Sequence, residues 1–126
     1  MRLQTRQWQL GPWTIDEGRQ VVSMADDVLP IRQKLLAVLV CLIEHYPDVV
    51  ETEHLIELVW GPYANIDRAG VNHAIWGIRQ VLQQHAGIDV IETIPKRGYR
   101  LLLEPLEIQS HSRTGTASMS VLVRAS

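Results

Sequence analysis

Phenylalanine is absent from this 126-residue chain, and cysteine occurs once, at Cys41. A lone cysteine excludes an internal disulfide and any zinc site built on several thiolates, so a reducing compartment is the natural setting. No apolar run near the N-terminus is fit for a signal peptide, and none approaches the about 18 residues that a spanning helix needs. The chain as given therefore reads as soluble, with no membrane insertion of its own. A cationic excess is missing too. Twelve Lys and Arg stand against 14 Asp and Glu, a formal net charge of −2, which as a single sum counts against a nucleic-acid partner. There is no paired-carboxylate signal, no nucleophile with a base at a recognisable spacing, no GxGxxG and no Walker-type GxxxxGKS/T. His45, His54, His73, His85 and His111 show no HExxH spacing, so neither a metal nor another cofactor is expected and the chain reads as no enzyme.

What is present is ordinary in bulk and informative in its distribution. Hydrophobic residues at 46% and charged residues at 21% suit one globular domain with a true core. The acids cluster: Glu44, Asp48, Glu51, Glu53 and Glu57 follow one another with no Lys or Arg between them. From Asp67 to Arg100 the balance reverses, with Arg68, Arg79, Lys96, Arg97 and Arg100 against Asp67, Asp89 and Glu92. One end of the molecule should be acidic and the other modestly basic, which permits a local phosphate-facing surface with weak non-specific affinity at physiological salt.

Short apolar runs at Trp8 to Leu10, Trp13 to Ile15 and Val21 to Met24 alternate with turn residues and predict a small antiparallel sheet. Ile31, Leu35, Val38, Leu39, Leu42, Ile43 and Tyr46 then recur at three and four residue intervals, predicting a central core helix that Pro47 stops. Thr52 is the expected N-cap of a second, shorter helix through Trp60, ended by Gly61-Pro62. A third helix is expected from Asp67 or Arg68 to His85, closing near Gly87 in a left-handed cap. Val71, Ile75, Ile78 and Leu82 form its core stripe, and the opposite side carries Asn72, His73, Trp76, Gly77, Gln80, Gln83 and Gln84, with Arg79 on the flank. Those polar types suit the edges of bases.

Directly afterwards, Ile91 to Arg100 reads as a tight hairpin with two adjacent cations, Lys96 and Arg97, at its tip. Pro95 is expected to fix one φ and Gly98 to supply the permissive one. A hairpin tip has no core to serve, so cations there are best explained by phosphate. Helix and hairpin together predict an α+β winged helix-turn-helix: an N-terminal small antiparallel sheet, three helices and a C-terminal β-hairpin wing. Residues 1–108 are expected to form this domain and residues 109–126 a flexible C-terminal tail.

With those residues in place, the sequence resembles the winged-helix domain of the OmpR and PhoB response regulators, and most of all ToxR- and CadC-like one-component regulators. The residues that carry the resemblance are Leu29-Pro30, Pro47 to Val50, Leu58-Val59-Trp60-Gly61, Val71 to Leu82, and Thr93-Ile94-Pro95-Lys96-Arg97-Gly98-Tyr99-Arg100. The resemblance implies a bacterial, sequence-specific transcription regulator on double-stranded DNA, its third helix in the major groove and its wing on the backbone or minor groove. Asn72, His73, Trp76, Gly77 and Gln80 then face the groove, Arg79 and Thr93 contact the backbone, Lys96 and Arg97 cap the wing, and Arg100 is expected among the DNA-binding residues. The loop from Gly61 to Asp67 corresponds to a segment that can touch RNA polymerase. A single copy on a short site would bind weakly, so dimeric or tandem docking is expected. The implied placement is cytoplasmic, with continuation past Ser126 into a membrane anchor left open. Within these 126 residues no phosphoacceptor domain is expected, so activation by phosphorylation of this chain is not expected either.

Some positions keep more than one reading. Arg79 either clamps a phosphate or solvates a helix flank. Trp76, a large aromatic opposite the core stripe, either meets a thymine methyl or backbone, anchors a protein partner, or packs on the wing. Trp60 fills the core or lends its N–H to a phosphate, and Cys41 is an inert core thiol. The alternative function is a winged-helix module that regulates transcription through a protein partner, with Trp76 at its centre and little direct DNA binding.

Overall fold

The computed structural model of the chain describes residues 6–108, without the side chains of residues 84–86. The expected tail, residues 109–126, lies outside the described residues. The N-terminal strands β1 (Gln7–Leu10), β2 (Trp13–Asp16), β3 (Val21–Met24) and β4 (Asp27–Leu29) form an antiparallel meander. Register explains why it holds. Trp8 pairs with Ile15, Leu10 with Trp13, Ile15 with Val22 and Val22 with Leu29, so period-two alternation puts these six side chains on one buried face. The outer face carries Gln9, Thr14 and Ser23 along its middle, with the exposed Val28 and Leu106 at its edges, and the Thr14 hydroxyl donates to Gln9 Oε1 at 3.0 Å. Asp16 is buried but satisfied, accepting from Gln7 Nε2 and from the Arg19 N–H, each at 3.0 Å.

The sheet covers α1 (Gln33–His45), whose Leu36, Val38, Leu39, Val40, Cys41, Leu42 and Ile43 are all buried. Burial pushes the Cys41 thiol up to about 11, as expected of an inert core cysteine. The chain then stays extended through β5 (Val50–Glu51) before α2 (Thr52–Val59) begins. This corrects the expected N-cap. Glu51 occupies that position without a side-chain bond, and Thr52 is the first helical residue, buried at 4% exposure. Its N–H, one of the donors a helix start leaves unmatched, donates to the Arg97 carbonyl at 3.0 Å.

The third helix, α3 (Arg68–Ala86), starts and stops as its sequence predicts. Asp67 accepts from the Gly70 N–H at 2.9 Å, and Gly87 takes φ +66 while its N–H donates to the Gln83 carbonyl at 2.8 Å. Strands β6 (Ile91–Ile94) and β7 (Gly98–Leu101) form the expected hairpin, and β5 adds to it in the order β5-β7-β6. Last, β8 (Leu106–Ile108) pairs antiparallel with β1 and completes a five-stranded sheet, β4-β3-β2-β1-β8. The three short strands β4, β5 and β8 go beyond the sequence expectation, since two or three residues carry no readable alternation.

Two glycines do work other than that expected. The positive φ of the hairpin tip falls on Lys96, at +66, and Gly98 lies in β7 where a Cβ would overlap the Val50 carbonyl oxygen. Gly98 is therefore a close-approach residue that lets β5 join the wing. Gly77 is not on the outward side of α3. A Cβ there would lie 2.7 Å from Leu35 Cδ2, so its smallness lets α3 sit tightly on α1, at a helix-propensity cost of about 1 kcal/mol against Ala.

Candidate nucleic-acid interface

The core stripe of α3 fixes what its other side presents. Val71, Ile75, Ile78 and Leu82 are fully buried, which turns Asn72, His73, Trp76 and Gln80 outward, all four exposed. Trp76 stands near the middle of that side at 56% exposure. His73 stacks on it, with ring centroids 5.7 Å apart and planes 16° from parallel. This pair leaves Trp76 held by a neighbour one helical turn away and uncovered by the wing, so the packing reading of Trp76 is not what the structure shows.

The wing lies along the flank of α3 that carries Asn72 and Arg79. One Arg79 Nη2 donates to the Ile91 carbonyl at 2.7 Å and to Thr93 Oγ1 at 3.1 Å. The Tyr99 hydroxyl donates to Asn72 Oδ1 at 3.1 Å. Tyr99 is buried, and its phenol is held above the ordinary range chiefly by that burial, with Arg79 and then Arg68 pulling the other way. Thr93 pairs with Tyr99 across the hairpin, so both belong to the strand face turned to α3. The sequence places Tyr99 in the hairpin without singling it out for the site. The alternation of Tyr99 and Leu101 around Arg100 was the signal that it points inward.

Arg100 belongs to the other face. It pairs with Glu92 in register, and its Nε donates to Glu92 Oε1 at 2.6 Å. The structure thus brings Asn72, His73, Trp76, Arg79, Gln80 and Thr93 together and leaves Arg100 apart from them. Lys96 and Arg97 are exposed at the tip and form no ion pair among the described residues, whereas Arg68 is engaged by Glu53 at 2.9 Å and Arg6 by Glu17 and Glu44. The separation into an acidic and a basic end is incomplete. Glu51 pairs with Gly98 beside the wing, and Glu53 reaches the start of α3.

Two helices joined by the loop of residues 60–67, packed on a third and flanked by a hairpin tied to α3, define a winged helix-turn-helix DNA-binding domain. The family described as transcriptional regulatory protein, C terminal, matches residues 26–101. The chain belongs to this OmpR/PhoB-type family and is a DNA-binding transcription regulator. No curated protein matches it. Among solved structures it is similar to the DNA-binding domain of Escherichia coli CadC, with 23% identity, TM-score 0.72, and 84% of this chain and 98% of that one covered. The DNA-binding domain of CpxR from Escherichia coli gives 26% identity and TM-score 0.65 over 75% of this chain and 94% of that one. The Klebsiella pneumoniae RstA domain, solved in complex with the RstA box, gives 24% identity and TM-score 0.64 over 75% and 95%.

Proposed function

We propose that the chain reads duplex DNA with the outward side of α3 in the major groove while the wing rests on the backbone or in the neighbouring minor groove. One observation carries this reading: the polar outward side of α3 is tied through Arg79 and Tyr99 to a hairpin whose tip holds two cations with no protein partner among the described residues. Asn72, His73, Trp76 and Gln80 meet base edges. Lys96, Arg97 and the Thr93 hydroxyl meet phosphates, and so do the guanidinium N–H groups that Arg79 does not spend on the wing.

The proposed DNA-binding unit is residues 1–108, closed by the pairing of β8 with β1. Two or more copies occupy adjacent half-sites, since one small module makes few phosphate contacts. Loop 61–67, whose Tyr63 is 97% exposed, is the proposed contact for RNA polymerase. Titration of duplex DNA at rising salt tests the reading. With Lys96, Arg97 and Arg79 neutralising about three phosphates per bound copy, the log–log slope should be about −2.7 per copy. Absent or salt-insensitive binding contradicts it and favours a protein partner for the same surface.

A further inference from the structure

We infer that the outward side of α3 selects A·T base pairs, with Trp76 seated against the 5-methyl group of a thymine; this rests on the proposed entry of α3 into the major groove. The commonest specific contact to a guanine is a bidentate Arg or Lys on its O6 and N7. Both arginines of α3 already have part of the guanidinium fork committed elsewhere. Of the two arginines on α3, Arg68 is held by Glu53 at 2.9 Å and Arg79 by Ile91 and Thr93 of the wing. Between them the exposed positions are Ala69, Asn72, His73 and Trp76, followed by Gln80, none of them Lys, Arg, Asp or Glu.

What remains matches adenine and thymine. The Gln80 amide can accept from adenine N6 and donate to N7 in one plane. Asn72 is oriented by Tyr99, whose hydroxyl occupies one lone pair of Oδ1 at 3.1 Å; its Nδ2 is left to donate to a purine N7. Trp76 is the large apolar surface among these groups, and a thymine methyl is the apolar group the major groove offers. Its stacking with His73, 16° from parallel, restricts the ring before DNA arrives, so less side-chain freedom is lost on contact.

Enrichment of the full chain on a random duplex pool, followed by replacement of each thymine in the enriched site with deoxyuridine, tests this by removing only the methyl group. The expected site is A·T-rich, and at one or two positions uracil should weaken binding about fourfold, the loss for one buried carbon group returned to water. Trp76→Ala should bind the thymine and uracil duplexes equally, with its fold checked by circular dichroism. A guanine-centred site, indifference of the wild type to uracil, or undiminished uracil sensitivity in W76A would overturn the inference while leaving DNA reading intact. Failure to enrich any sequence would overturn the DNA reading and this inference with it.

Discussion

The base of the wing and its tip are held by opposite means. At the base, every strong polar group has a protein partner: Arg79 binds Ile91 and Thr93, Tyr99 binds Asn72, and Glu92 binds Arg100. At the tip, Pro95, Lys96 and Arg97 are exposed, and Arg97 is tied through its main chain, its N–H donating to Ile94 and its carbonyl accepting from Thr52. The base thus spends charge on fixing where the hairpin stands, with only the remaining N–H groups of Arg79 left to face outward, and the tip keeps both its charges for something outside the molecule. Arginine is therefore a poor guide to DNA contact in this fold until its partners are known.

Substitutions in the paired strands of the wing and at Arg79 should cost stability, and those at the exposed tip should not. The largest effect is expected of Gly98→Ala, whose new methyl would push against the Val50 carbonyl and separate β5 from β7. A loss of about 3 kcal/mol in urea unfolding, at the upper end for overpacking, is expected. An unchanged midpoint would mean that β5 yields freely and is no part of the wing. Next, Arg79→Ala should remove about 1.5–2 kcal/mol, because two charge-assisted bonds disappear and the Ile91 carbonyl loses its partner. Arg79→Lys should recover only part of this, since a point charge replaces a planar fork. Smaller again, Tyr99→Phe should cost roughly 1 kcal/mol and leave Asn72 free to rotate, which a loss of order in its amide NMR signals would report.

The contrast between base and tip also separates what a reader of the sequence can see from what needs coordinates. The helices were legible because Val71, Ile75, Ile78 and Leu82 keep one period over several turns, and because Asp67 and Gly87 mark the ends with chemistry that acts locally. The hairpin was legible for the same reason. Contacts between distant segments were not. Gly98 looked like a turn residue because its crowding comes from Val50, far away in the chain, and Gly77 looked outward because Leu35 of α1 cannot be read from α3. Thr52 had the composition of an N-cap, but pairing of β5 with β7 moved the helix start. At the interface, Asn72, His73, Trp76 and Gln80 were placed outward by periodicity alone. The commitments of Arg79 and Arg100 depended on strand register.

The division of labour between base and tip is tested most directly by the salt dependence of DNA binding in the Lys96→Ala, Arg97→Ala double variant beside the unchanged chain. Loss of two phosphate contacts should make the log–log slope shallower by about 1.8, with weaker binding at low salt and an unaltered unfolding midpoint. An unchanged slope would contradict the account, because the two cations would then not meet the DNA backbone.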